Sequence, residues 1–306
     1  MKNGLTAMVP GILGPKELSA AVECYLHMRQ SLIDRRPEFE VEAHRAAAAA
    51  PADMARRRQK TAAECWRAVW PLPFYSRENV AVAGRRVEAI RANGWFDHFE
   101  TLAGAADDRD HPWNVERRGR RCSPRGAEAA ALCARSGTYA AMPYRTRADV
   151  IRRVAQAAAL FRNWEEVRRA RDISFIDAMT GVDSEAFPRH LFDVLASAIG
   201  KVTAFHGLSD LGFRCVKPDI WISRITTSCG WLPGYTPEDV VKNRRGAWEA
   251  LFETCAQVAT AASDHFPSPN ALRELDYFVA NYGMTFDPKP GDCPCGPAKL
   301  QPTSRP

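Results

Sequence analysis

The residues best placed to do chemistry lie between Leu191 and Ile225. An apolar-periodic segment leads into a tight turn at Ser197-Ala198-Ile199-Gly200, and a second helical segment runs from Lys201 to Leu211. A glycine turn between two short helices leaves backbone N–H groups and a helix N-terminus facing outward, which suits a phosphate. Ile199, Gly200, Lys201 and Thr203 are the residues that would grip it, with Lys201 adding a cation. A short way on, Lys217-Pro218-Asp219 precedes the apolar helical run Ile220-Trp221-Ile222-Ser223-Arg224-Ile225. A carboxylate there can stabilise positive charge on a reacting carbon and orient or deprotonate a water. The same residues admit plainer roles: Asp219 as the cap of the helix that follows, Gly200 as a bare turn, Lys201 and Lys217 as solvated cations.

Ala198-Ile199-Gly200-Lys201-Val202-Thr203-Ala204 resembles the hairpin of the helix-hairpin-helix DNA glycosylase superfamily, usually written Leu-Pro-Gly-Val-Gly-Arg-Lys-Thr-Ala. Val216 to Ile225 resembles that superfamily's Val-Asp-Thr-His-Val-x-Arg-Val segment, and 17 residues separate Val202 from Asp219, close to the family spacing. The resemblance covers about 35 residues. It implies an all-α, two-domain fold with the active-site cleft between the domains, Asp219 as the catalytic carboxylate, and Lys217 and Arg224 as further contacts to double-stranded DNA. It implies no metal and no organic cofactor.

The departures from the pattern shape the expected reaction. Ala198 stands where the family has its first glycine, and Val202 fills the slot of the Schiff-base lysine. Lys201 is one residue early and so about 100° away around the helix. A monofunctional enzyme follows, one that hydrolyses an N-glycosidic bond without cutting the backbone. The four close-spaced cysteines that hold an iron–sulfur cluster in some relatives are missing: Cys229 and Cys255 are isolated, and Cys293-Pro-Cys295 is a lone pair in the tail. The base removed is not written in the motif. Hypermodified phage DNA, glucosylated hydroxymethylcytosine for example, is one candidate, because the turn at Trp70 to Tyr75 is unlike that of the familiar repair enzymes. In that turn Phe74 and Tyr75 are candidates to stack on a base or fill the gap it leaves, with a place in the core as the other reading, and Trp221 faces either the pocket or the core. The competing functions are a non-catalytic hairpin DNA-binding protein and a helical protein–protein scaffold.

The elements that must position these residues are helices. Apolar residues recur at three and four residue steps from Pro15, across 38–50, 52–70 and 77–93, and again at 125–135, 147–163 and 164–171. Ser76 reads as an N-cap and Gly94 as a stop; Thr236-Pro237 begins a helix to about Ser263, and Ser268-Pro269 begins one that ends at Gly283. The crowded polar stretch 105–126 reads as a long loop. Four segments follow: N-terminal helices forming part of the cleft wall (1–75), a helical core with the hairpin at 189–213 and the aspartate loop (76–225), C-terminal helices packing back on the first segment (226–285), and a flexible tail (286–306).

Composition agrees with a water-exposed helical protein. Of 306 residues 46% are hydrophobic and 25% charged, with a net charge of +6. Arginine clusters at 56–58, 85–86, 117–118, 120–121, 152–153 and 244–245 permit an acidic partner such as DNA. No run of about 18 apolar residues is present, so no membrane span is expected. The nine cysteines are odd in number and follow no secretory signal, which points to reduced thiols in a cytoplasm. No obligate protein partner is evident in the sequence, and a monomer is expected.

Overall fold

A computed structural model describes residues 13–75, 80–92, 96–100, 102–103, 115–116, 123–124, 144–181, 187–288 and 293. The protein is all-α, as the periodicity predicts; the one ladder among the described residues pairs Val115–Glu116 with Ser123–Pro124, antiparallel. The helices are α1 (Pro15–Arg35), α2 (Glu38–Ala49), α3 (Met54–Arg58), α4 (Ala62–Val69), α5 (Val80–Arg91), α6 (Tyr144–Arg171), α7 (Phe175–Thr180), α8 (Arg189–Ile199), α9 (Lys201–Leu211), α10 (Ile220–Ser228), α11 (Pro237–Val241), α12 (Ala247–Ala262) and α13 (Ala271–Phe286). The expected Ser76 cap, Gly94 stop, helix at 125–135, most of the 105–126 loop and nearly all of the tail beyond Pro288 lie outside the described residues.

Two compact units result, and the chain crosses between them twice. The first holds Met1–Ala52 and Leu208–Pro306; the second holds Asp53–Gly207. The divisions therefore fall at 52/53 and 207/208, not at 75/76 and 225/226. The reason is hydrophobic. In the first unit α1 buries Ala21, Val22, Cys24, Tyr25, Met28 and Leu32, and its partners are α12 and α13 from the far end of the chain. Helix α13 also packs on α2 and α10. In the second unit the 28-residue α6 is the spine: Phe161 lies 5.1 Å from Trp66 and 5.5 Å from Phe175, ring centre to ring centre. Each such side chain contributes roughly 1.5–3 kcal/mol on burial.

Several helix boundaries differ from the periodic reading, each for a local reason. The stretch 52–70 is two helices, because Thr61 and Glu64 form a capping box that starts α4 afresh. The stretch from Pro237 breaks where Asn243, Arg245 and Gly246 take positive φ, and the Asn243 side chain accepts the Trp248 N–H at 3.0 Å. Helix α13 begins after Asn270, whose side chain accepts the Arg273 N–H, with Ser268 bonded to the Asn270 N–H. It also runs through Gly283, which serves a close helix contact and not a stop.

Candidate functional site

In the second unit the hairpin forms around a single residue. Helix α8 buries Leu191, Phe192, Leu195, Ala198 and Ile199; Gly200 then turns the chain at φ +89°, and α9 starts at once. Phe205 of α9 stacks on Phe192 with ring centres 4.3 Å apart, which locks the two helices together. Ala198, expected in the turn, is a buried helical residue, so its missing glycine costs the turn nothing. Gly200 carries the left-handed backbone by itself. The first amides of α9 have no partner within the helix, and Lys201 and Val202 are exposed beside them while Thr203 is half-buried. The Ile199 side chain is fully buried, leaving that residue only its backbone to offer.

A second cation stands at the turn. Arg153 of α6 places Nη1 3.3 Å from the Ile199 carbonyl oxygen, and a Cβ at position 200 would lie 3.4 Å from the same nitrogen. The sequence marks Arg152-Arg153 as a pair on a helix face but carries no sign that Arg153 meets residue 200. Tertiary packing makes that contact.

Asp219 belongs to the first unit and caps α10. Its Oδ1 accepts the N–H groups of Trp221 (2.9 Å) and Ile222 (3.0 Å), while Oδ2 lies 2.9 Å from Nζ of Lys217. The carboxylate is 14% exposed and the Lys217 side chain 25%. Behind this pair runs a buried chain of alternating charge. The Lys217 backbone N–H donates to Asp276 Oδ1 (3.0 Å), Arg273 bonds Asp276 Oδ2 (2.8 Å), and the other arm of Arg273 reaches Asp210 (2.6 Å). Burial works against the Lys217 ammonium, but Asp219 beside it and Asp276 behind more than offset this and raise its pKa. Burial likewise pushes the Asp276 carboxyl above the usual range, although Arg273 pulls the other way. Asp210, Arg273 and Asp276 escape sequence reasoning because 63 residues separate Asp210 from Arg273; only the three-residue step from Arg273 to Asp276 is legible.

No protein family, curated protein or solved structure matches this chain.

The aromatic candidates separate. Phe74 is 1% exposed and packs edge-on against Trp70, with Phe96 beyond it, so it is a core residue and not an available wedge. The apolar turn Leu72–Tyr75 is folded inward because the second unit fills its centre with these rings. Tyr75 is half-buried, and burial raises its phenol. Trp221 is half-buried against Gly283, with the Arg224 guanidinium 5.3 Å from its ring centre. Arg224 also reaches Asp287 at 3.5 Å. Val202 in the lysine slot is 37% exposed and offers no amine. Among the described residues no helix is long and apolar enough to cross a membrane. One side-chain group suited to a metal, Cys24, Cys229 and Cys293, lies in the first unit.

Proposed function

We propose that the protein is a monofunctional DNA glycosylase, its two units corresponding to the two domains of the helix-hairpin-helix glycosylase fold and its place of action the cytoplasm. The observation that carries this is one carboxylate in context: Asp219 follows the end of hairpin helix α9 by eight residues, caps the next helix through one oxygen, and keeps its other oxygen on a lysine and not on the backbone. The α9 amides, Lys201 and Arg153 hold a DNA phosphate, and a nucleotide rotates out of the duplex. As the bond from C1′ to the base nitrogen breaks, the base leaves with the electron pair and takes up a proton. Positive charge spreads over the deoxyribose, and Asp219 stabilises it. Water adds to C1′ and gives up a proton, leaving a free base and an abasic site. A phosphate that draws the Lys217 ammonium aside frees Oδ2 for this role. Bulky modified bases of phage DNA are the substrate class to try first.

Among the described residues at the hairpin and beside Asp219, no amine is set to attack the sugar. Val202 has none, and the raised pKa of Lys217 keeps it an ammonium. Borohydride added during turnover should trap no protein–DNA adduct, and strand breaks should appear only after alkali.

The decisive variant is Asp219→Asn, incubated with a panel of DNAs that includes modified phage genomes and scored for alkali-labile sites. Asparagine caps helices as well as aspartate does, so the fold and DNA binding within a few-fold should survive. Base release should vanish. The full engagement of Asp219 with Trp221, Ile222 and Lys217 favours a second reading, a non-catalytic DNA-binding protein in which this residue is only a cap. Unchanged activity of every kind in the asparagine variant would establish that reading instead.

A further inference from the structure

Three thiols meet at the end of α10 away from Asp219. Cys229 is the C-cap of that helix, with its N–H donated to the Ile225 carbonyl at 2.8 Å. Cys24 projects from the buried face of α1, and Cys293 comes from the chain beyond α13. The Sγ atom of Cys24 lies 3.5 Å from that of Cys229 and 3.9 Å from that of Cys293, and all three sulfurs lie within 4.8 Å of one another. Cys24 and Cys229 are fully buried and Cys293 is half-buried. The three residues are 205 and 269 positions apart in sequence, so local spacing does not bring them together.

These distances distinguish among the uses of clustered cysteine. A disulfide has its sulfurs about 2.05 Å apart, far closer than any pair here. An iron–sulfur cluster divides three cysteines between at least two irons, so at least one pair of sulfurs is held further apart than the 4.8 Å that encloses all three here. A single tetrahedral ion with zinc–sulfur bonds of about 2.3 Å sets its ligand sulfurs about 3.8 Å from one another, and Cys24 lies 3.5 Å and 3.9 Å from its two neighbours. Buried thiols with no ion resist ionising, as burial does to the lone Cys255, whereas a divalent cation stabilises three thiolates at once.

We propose that Cys24, Cys229 and Cys293 bind one zinc ion. Three thiolates supply three corners of the tetrahedron, and a water or a further donor completes it. Binding releases the three thiol protons and leaves the metal redox-inert. The ion ties the chain beyond α13 to α1 and to the C-terminal end of α10, the helix whose other end holds Asp219. Its role is structural, and it stands independently of the glycosylase reading.

The test uses the full chain expressed with added zinc and desalted without chelator. Elemental analysis should find about one zinc per chain, a thiol reagent should release it, and cobalt exchanged into the site should give the intense visible bands and near-ultraviolet sulfur-to-metal absorption of a tetrahedral thiolate site. Cys293→Ser, at the half-buried edge, should lose the metal while keeping its helical circular dichroism, and Cys255→Ser should keep the metal. The proposal is overturned by protein with well under one zinc per chain, by a Cys24–Cys229 disulfide in the fresh protein, or by iron together with acid-labile sulfide. Metal retained by Cys293→Ser would also overturn it.

Discussion

Replacing Gly283 by alanine is expected to destabilise the first unit, although helix propensity alone predicts the reverse. In the interior of α13 the exchange gains up to about 1 kcal/mol of propensity. The added Cβ, however, falls 2.7 Å from the Trp221 Cβ and 3.2 Å from its Cγ. Carbon atoms rest at about 3.5–4.0 Å, and a Cβ is fixed to its backbone, so no rotation of Trp221 relieves the overlap. Helices α13 and α10 must move apart, at a cost typical of overpacking, about 1–3 kcal/mol. With the propensity gain set against that cost, G283A should lose up to about 2 kcal/mol, each kcal/mol lowering Tm by roughly 2–4 °C. The matched control is Gly207, inside α9, where an added Cβ would meet the flexible end of Leu72 at 3.4 Å and Val69 at 3.7 Å. G207A should therefore be neutral or slightly stabilising. Thermal and denaturant unfolding of both variants decides the matter; equal stability of the two, or a G283A protein more stable than the parent, would refute the packing argument. On the proposed glycosylase reading, G283A should also lower base release more than DNA binding, because Trp221 lies two residues beyond Asp219.

Further outcomes follow from the same geometry. On the proposed reading, Lys201→Glu should weaken binding to all DNA sequences alike and reduce the salt slope by about one unit, measured by fluorescence anisotropy at several salt concentrations; binding unchanged at low salt would remove the hairpin as the anchor. Arg273→Met takes the guanidinium away from the buried Asp276 and the half-buried Asp210 and should cost about 3–5 kcal/mol in denaturant unfolding. Glu165 accepts from Arg168 and also from Arg169, and these contacts hold its carboxyl below the usual range. Its contribution is complete above the unfolded value of about 4.3 and is lost as pH falls through the lower folded value. Glu165→Gln should consequently be less stable than the parent near neutral pH and lose less stability below pH 4; parallel Tm curves for the two proteins would count against this.

Local physics made much of the protein legible in its residues. The apolar repeat of α1, the alanine-rich α2 and the two helices around Gly200 announce themselves, because one buried face and one residue free to take positive φ are properties of neighbours in sequence. The position of Asp219 just ahead of Ile220 likewise announces a helix cap. Where caps lie inside a periodic stretch, as at Thr61 and Asn243, the periodicity overran them, since the apolar pattern continues across a break that side-chain hydrogen bonds impose. Phe74 and Gly283 could not be placed from sequence: an aromatic in a turn looks the same whether it faces solvent or core, and a glycine near a helix end looks like a stop until Trp221 is found against it. Tertiary structure alone decided which distant groups meet. It set Arg153 at the hairpin, closed the chain from Asp219 through Lys217, Asp276 and Arg273 to Asp210, and gathered Cys24, Cys229 and Cys293. Contacts of that kind depend on how whole helices pack, and the burial of α12 and α13 against α1 is what brings residues more than two hundred positions apart within reach of one another.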